Sequence, residues 1–348
     1  MTKPPRLSRP IILTSGTTGT PKGAPRSEAG LDGAVALLSK IDFRANGVTH
    51  IAAPVFHTWG WAHLNLAMLL SSTVVLQRRF DPETCLDLLR RYQCDTLAVI
   101  PVMLQRILAL PEDKLRGDWS FLKVVAASGS ALPGNLCLEW MDHFGDNLFN
   151  TYGSTEVAWA TIARPDELRM APGTAGRPPY NTVVRLYDEQ GNPSAKGAHG
   201  RIFVGNSMLF GGYTGKSGGT KEVIDGLMST GDVGSFDEHG LLFVEGRDDE
   251  MIVSGGENVF PAEVENALSR HDSVHEAAAI GVPDEEFGQR LRAFVVTIDE
   301  VSESDLKDWV KQQLARYKVP REIIFMDELP RNATGKILKR ELKEYDHS

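Results

Sequence analysis

The sequence predicts an α/β protein in two parts: a large α/β domain with an antiparallel, barrel-like portion, then a small α+β domain. Three observations carry this expectation. The chain has 348 residues, near the length at which single cores stop growing and chains divide. From Ile11 to Thr151, short β-branched apolar runs alternate with amphipathic helical stretches, as in βαβ units built on a largely parallel sheet. From Thr182 to Gly246, strand-like pieces are separated by turn clusters, which suits antiparallel pairing.

The elements follow in order. Ile11 to Leu13, Thr73 to Leu76, Thr96 to Ile100 and Val124 to Ala127 read as strands, and Pro82 to Tyr92 and Pro133 to Phe144 as helices. Val183 to Tyr187, Arg201 to Val204 and Leu241 to Val244 are the antiparallel pieces, punctuated by Asp188 to Asn192 and Asp237 to Gly240. The charged segment Gly246 to Glu250 breaks that rhythm, and a tail of about a hundred residues follows, a usual size for a small domain. The boundary is therefore expected between residues 248 and 249. In the tail, Pro261 opens a helix running to about Arg270, and Ser302 with Asp305 forms a capping-box-like start for a helix through Leu314.

The hydrophobic fraction of 42% and charged fraction of 24% are those of a packed globular protein. A net charge of -9 repels polyphosphate backbones and acidic lipid, so nucleic acid is not an expected partner and any phosphate must be held by a local site. Cys85, Cys94 and Cys137 have neither Cys-x-x-Cys spacing nor an even number, which suits reduced thiols and a cytoplasmic location. No apolar run reaches the length of a transmembrane segment, and Met1 to Pro10 lacks the apolar stretch of a signal peptide.

The strongest chemical signal is the run Thr14, Ser15, Gly16, Thr17, Thr18, Gly19, Thr20, Pro21, Lys22, Gly23, directly after a strand. Glycines let backbone N–H groups turn toward an anion, hydroxyls add donors, and Lys22 offsets phosphate charge. The spacing is not that of a Walker loop. Gly211 to Ser217 looks more like one but has Phe210 where the first glycine belongs, so it reads as a surface turn. His271 and His275 have helical zinc-ligand spacing but no intervening Glu in the required place, and read as solvated residues flanking a strand.

The Thr14 to Gly23 string resembles the phosphate loop of the adenylate-forming superfamily, which includes acyl-CoA synthetases, luciferases and peptide-synthetase adenylation domains. Other strings similar to that family's motifs follow in order to Lys336. The resemblance implies that in Asn150-Thr-Tyr-Gly-Ser-Thr-Glu156 the Tyr152 ring stacks on adenine, Thr155 meets phosphate and Glu156 holds Mg²⁺, with Asn150 and Gly153 in the same nucleotide motif. Mg²⁺ takes hard oxygen ligands and commonly only one or two carboxylates, so a single Glu suffices.

The same resemblance places Gly129, Ser130 and Ala131 on the other face of adenine. It gives Asp232 the ribose hydroxyls and Arg247 a nucleotide contact, roles suited to an acceptor-only carboxylate and a permanent cation. It makes Asp249 the hinge, with Asp248 as the neighbouring candidate, and lines the pantetheine path with Gly255 and Gly256. Lys336 is implied to be the mobile lysine that reaches the acyl carboxylate and α-phosphate as pyrophosphate leaves. His57, in Phe56-His57-Thr-Trp-Gly60, is implied to gate the acyl site, and the following Trp61, Leu64, Leu66 and Met68 suggest an apolar tunnel for a fatty or other hydrophobic acid rather than an amino acid.

The resemblance thus implies an acyl-CoA synthetase using ATP, Mg²⁺ and coenzyme A on a carboxylic acid, with a fatty acid favoured. No general base is needed, because the attacking carboxylate is ionised at neutral pH. Family members carry a long segment before the phosphate loop, so this large domain is expected to be partial, with apolar faces exposed or repacked. A homodimer, an inert nucleotide-binding fragment, and a ligase that loads a carrier protein are the competing expectations.

Overall fold

The computed structural model describes residues 11–14, 22–25, 31–212, 221–254, 257–284, 288–332 and 335–345. Its contacts divide into two units, Met1–Thr230 with Phe236–Leu242, and Gly231–Ser235 with Phe243–Ser348.

The first unit opens with β1 (Ile11–Thr14) and β2 (Lys22–Pro25), an antiparallel two-stranded sheet, and α1 (Asp32–Leu38). Then come β3 (Val48–Ile51), α2 (Thr58–Leu69), β4 (Thr73–Leu76), α3 (Pro82–Tyr92), β5 (Thr96–Val99), α4 (Pro101–Leu108), α5 (Glu112–Leu115), β6 (Val124–Ala127), α6 (Gly134–Phe144), β7 (Leu148–Ser154), β8 (Ala158–Ala163) and α7 (Pro165–Met170). The strands make one six-stranded sheet in the order β4-β3-β5-β6-β7-β8. Its first five strands are parallel, and β8 returns antiparallel along β7.

Every residue of β5 and β6 is buried, as a parallel strand covered on both faces requires. The helices start where local chemistry provides for it. At α3, the Asp81 carboxylate accepts the Thr84 N–H at 2.8 Å and Pro82 occupies the first turn. Pro101 plays the same part at α4, while α6 stops at Gly145, whose φ of 89° an L side chain resists. Trp140 anchors the core beneath α6: it is fully buried, stacks on Phe144 at 4.2 Å and donates to Asn147 at 3.1 Å. Such a ring pair adds about 0.5–1.5 kcal/mol beyond burial.

The antiparallel portion consists of β9 (Val183–Tyr187), β10 (Gly200–Gly205), β11 (Val223–Ile224), β12 (Leu227–Phe236) and β13 (Leu242–Arg247). β9 and β10 pair antiparallel. β11 turns into β12 through Asp225 and Gly226, both at positive φ, the Asp-Gly chemistry of a tight hairpin. The Tyr187 hydroxyl donates to Asp225 at 2.9 Å and fixes that turn.

In the second unit the Asp248–Glu250 turn leads into β14 (Ile252–Ser254), β15 (Glu257–Val259), α8 (Pro261–Leu268), β16 (Val274–Asp284), β17 (Gly288–Thr297), α9 (Glu303–Gln313), β18 (Glu322–Phe325) and α10 (Lys339–Lys343). β16 and β17 form a long antiparallel hairpin, and β18 joins β17 in parallel. Alternation along these strands sorts two cores. Ala277, Ala279, Ala293 and Val295 meet α8 and α9 on one face, whereas Ala278, Ile280 and Phe294 meet Leu342 of α10 on the other. The unit is thus the small α+β body expected. Ser302 caps α9 by accepting the Asp305 N–H at 3.1 Å.

Two histidine expectations need correction. His271 is not simply solvated: it packs edge-on against Trp309 at 5.2 Å, and its Nδ1 accepts the Ser273 N–H. His275 lies within β16 rather than beside it. Among the described residues no group of His, Cys, Asp and Glu forms a metal-binding cluster, and no helix is long and apolar enough to cross a membrane. The Walker-like run lies largely outside the described residues.

Candidate active site

The winding of the six-stranded sheet selects one edge. The chain leaves β3 toward β4 on one side, then crosses back to lay β5, β6 and β7 on the other, so the order reverses between β3 and β5. In open parallel sheets, ligands collect at the carboxyl ends beside such a reversal. The segments emerging there are Ala52–His57 after β3, Ile100 after β5, Ser128–Ala131 after β6, and the end of β7.

At the reversal, Ala52 and Ala53 both donate backbone N–H groups to the Ala98 carbonyl at 3.0 Å, keeping the β3 exit against β5. His57 is the N-cap residue of α2, in extended conformation, and its ring lies 4.4 Å from the exposed Phe56 ring. Burial pulls the His57 pKa below its ordinary value, which favours a neutral imidazole. Gly60 allows this start: a Cβ there would sit 2.4 Å from the Pro54 carbonyl oxygen. Trp59, the second residue of α2, donates to the Val99 carbonyl at 2.9 Å and meets Trp159 of β8 edge-on at 5.7 Å. Sequence reasoning assigned neither tryptophan, although Trp59 lies inside the string that flagged His57.

Gly129, Ser130 and Ala131 emerge exposed from the end of β6. Gly129 has a φ of 99°, and a Cβ on it would press on Ile100 at 3.3 Å, so this turn both demands glycine and abuts the β5 exit. Next to it, Ala127 pairs with Asn150 of β7. The Asn150 side chain is buried, and its amide donates to the Thr174 carbonyl at 3.0 Å.

The β7–β8 hairpin then delivers Tyr152, Gly153, Thr155 and Glu156. Its register shifts between Tyr152 and Gly153, and bulges of this kind re-aim side chains next to active sites. Ser154 Oγ accepts the N–H groups of Glu156 and Val157 at 3.2 and 3.3 Å, and the Glu156 carbonyl accepts from Phe210 at 2.9 Å. The backbone on either side of the Glu156 carboxylate is therefore fixed. One half-buried Glu carboxylate at the tip of the hairpin suits a Mg²⁺ that completes its shell with phosphate and water.

Thr14 and Lys22, the ends of the glycine-rich run, are cross-strand partners in β1–β2. Ser15, Gly16, Thr17, Thr18 and Gly19 lie outside the described residues, as do Gly255 and Gly256.

In the second unit, Arg247 brings two predicted carboxylates together. Its Nη1 lies 3.4 Å from Asp232 and its Nε 3.0 Å from Asp249. Gly231, at a φ of 82°, lets the guanidinium approach, since a Cβ there would come within 3.1 Å of it. Lys336 is exposed on a turn closed by the Arg331–Ile337 bridge.

Known proteins match this arrangement. The AMP-binding enzyme family matches residues 9–214, and the AMP-binding enzyme C-terminal domain matches residues 263–336. A feruloyl-CoA synthase from Amycolatopsis is 36% identical over 96% of this chain and 69% of its own length. A fatty acid–[acyl-carrier-protein] ligase from Streptomyces coeruleorubidus is 35% identical over 96% of this chain and 66% of its own. The solved o-succinylbenzoate CoA synthetase of Bacillus subtilis, in complex with its acyl-adenylate intermediate, superimposes with a TM-score of 0.85 at 30% identity, over 97% of this chain and 69% of that one. The chain belongs to the AMP-binding enzyme family of the adenylate-forming superfamily, as an ATP-dependent acid–thiol ligase of the acyl-CoA type.

Proposed function

We propose that the acid is an aromatic carboxylic acid, joined to AMP at the carboxyl edge of the six-stranded sheet and then passed to coenzyme A. The observation that carries this reading is the aromatic surrounding of the reversal point. Phe56 and His57 pair at the exit of β3, and Trp59, two residues on in α2, meets Trp159 of β8 edge-on in the core. Planar side chains favour a planar substrate through offset and edge contacts. The relatives named for ferulate and o-succinylbenzoate act on ring-bearing acids and support it.

The fatty acid expected from the α2 sequence finds less support. That helix does not form one apolar wall: His63, Leu66 and Ala67 enter the core, whereas Trp61, Met68 and Leu69 face solvent.

In this reading Tyr152 stacks on adenine against Gly129, Ser130 and Ala131, and Thr155 and the Thr14–Lys22 loop hold phosphates. Glu156 would hold Mg²⁺, which supplies charge neutralisation on the phosphates when bound. Asp232 and Arg247 take the ribose side, His57 closes the acyl pocket as a neutral ring, and Lys336 steadies the charge that builds as pyrophosphate leaves. Asp249 serves as the pivot, at the 248/249 boundary, for the change between adenylation and thioester formation.

The test is acid-dependent exchange of pyrophosphate into ATP across aryl, arylalkanoic and straight-chain fatty acids. AMP release is then measured with coenzyme A or with phosphopantetheinylated carrier as acceptor. The reading expects aryl acids to lead and coenzyme A to be the acceptor. A panel led by long-chain acids overturns the substrate class, and release only with carrier overturns the acceptor.

A further inference from the structure

Lys339 is the first residue of α10, three positions beyond Lys336, and its ammonium lies between two carboxylates. Nζ is 2.8 Å from Glu250 and 2.9 Å from Glu265. Glu265, on α8, also accepts the Ala279 N–H at 2.8 Å, so it is tied to the β16 ladder. Glu250 is the last residue of the Asp248–Glu250 turn. An ammonium this far out of water is tolerated only when paired, and loss of one partner leaves the other charge uncompensated. The arrangement is therefore a clasp that resists opening.

The two neighbouring carboxylates of the turn have different holders. Asp249 is held by Arg247 from the chain before it, and Glu250 by Lys339 from the far end of the unit. A pivot placed after Glu250 would tear the Lys339 pair. A pivot at Asp249 opens only the Arg247 pair, whose carboxylate is exposed and whose loss costs little.

From Lys339 the connection to Lys336 is short and stiff. Leu338 donates its N–H to the Pro330 carbonyl at 2.8 Å, Ile337 bridges to Arg331, and Arg331 pairs with Glu276 of β16 at 2.9 Å. Ile337 and Leu342 pack into the apolar face that also holds Phe294.

We propose that Lys339 is a positioning residue, which clasps the Asp248–Glu250 turn to the segment bearing Lys336 so that pivot and lysine move as one body. The inference rests on the reading of Asp249 as pivot and Lys336 as the adenylation lysine, and adds the element that couples them. Without the clasp, the small domain still folds on its two apolar cores, but Lys336 arrives with a spread of orientations. Such a loss falls on kcat of adenylation, because ATP and acid are held by other residues.

The test uses the full chain with Lys339→Met, Lys339→Arg and Glu250→Gln, each alone and combined with Lys336→Ala. Lys339→Met is expected to lower kcat for pyrophosphate exchange about tenfold with KM for ATP within about twofold, and Lys339→Arg to restore most of it. Glu250→Gln keeps the Glu265 pair, so it frees the turn without stripping the lysine, and is expected to give the same loss. In the Lys336→Ala background neither substitution should cost more, as for residues acting through one another; multiplicative losses overturn the proposal. Hydrogen exchange without substrates gives a second readout. Residues 248–250 and 335–338 should exchange faster together in Lys339→Met while the β16–β17 ladder is unchanged, and unaltered exchange in those segments overturns the clasp whatever the activity. If Lys336→Ala adenylates normally, it is the functional reading that fails, and the exchange result still decides the clasp.

Discussion

Asn332 and Lys336 hold each other through two hydrogen bonds. The Asn332 side-chain oxygen accepts the Lys336 N–H at 3.0 Å, and the Lys336 carbonyl accepts the Asn332 N–H at 3.0 Å. A lysine proposed to travel into the site is thus fastened at its backbone to a closed turn. In the proposed role its reach would come from its own four-carbon stem and from movement of the whole small unit. An Asn side chain that bonds to backbone a few residues on is a common way of closing such a turn.

Lys336→Ala is expected to lower adenylation by about two to three orders of magnitude, the usual loss on removing a group that stabilises charge in the transition state. Thioester formation from supplied acyl-AMP should persist. Asn332→Ala leaves the ammonium but frees the turn, and about a tenfold drop in kcat with little change in KM is expected. Single-turnover measurements of the two half-reactions separate these outcomes; equal loss of both steps in Lys336→Ala contradicts its assignment.

Gly153→Ala should damage fold and site together. A Cβ at this position would lie 1.8 Å from the Ala158 carbonyl oxygen, a backbone atom that cannot swing aside. Opening the β7–β8 hairpin to admit it is expected to cost about 1–3 kcal/mol. It also shifts Thr155 and Glu156, so KM for ATP should rise along with the fall in Tm. A variant of unchanged Tm and KM would show that the bulge at Tyr152–Gly153 is not fixed by this contact.

The parallel sheet was legible because buried strands such as Val124–Ala127 are continuous apolar runs, and α3 because Asp81 and Pro82 mark its start. The Asn150–Glu156 string was legible as a motif but not as a hairpin, since Gly153 and Ser154 carry little strand character and β8 pairs with them through tertiary context. The partner of Asn150 was not legible: the sequence shows a polar residue in a ligand motif, but only the fold shows its amide turned to Thr174. Trp59, Trp159 and Lys339 had no local signature, because their meaning lies in partners distant in sequence.

All three cysteines are buried free thiols, and burial pushes Cys85, Cys94 and Cys137 each up to about 12. At neutral pH hardly any thiolate forms, and the thiolate is the reactive species. The folded protein should therefore resist alkylation by iodoacetamide over hours, and take up label at all three positions once unfolded in guanidinium. Fast labelling of a native cysteine, mapped by mass spectrometry, would show that the structure around it opens readily.

His63 sets an acid limit on stability. It is fully buried in α2, edge-on to Trp59 at 4.2 Å and to Phe43 at 5.7 Å, with Nδ1 against the Trp59 carbonyl and Nε2 without a partner. Burial outweighs that carbonyl bond and lowers its pKa from 6.5 to about 4. Because the folded value lies below the unfolded one, the unfolded chain binds the extra proton between these limits. Stability is then whole above about pH 6.5 and falls as pH drops toward 4, by about 3 kcal/mol in the limit. Burial shifts His50 the same way, so the two slopes add. His63→Leu removes one proton from this difference and fills the space with an apolar group. Chemical denaturation at several pH values between 4 and 7 should therefore show a shallower decline in the variant than in the wild type. Parallel declines would mean that His63 is protonated in the folded state without penalty, and that its pocket admits water.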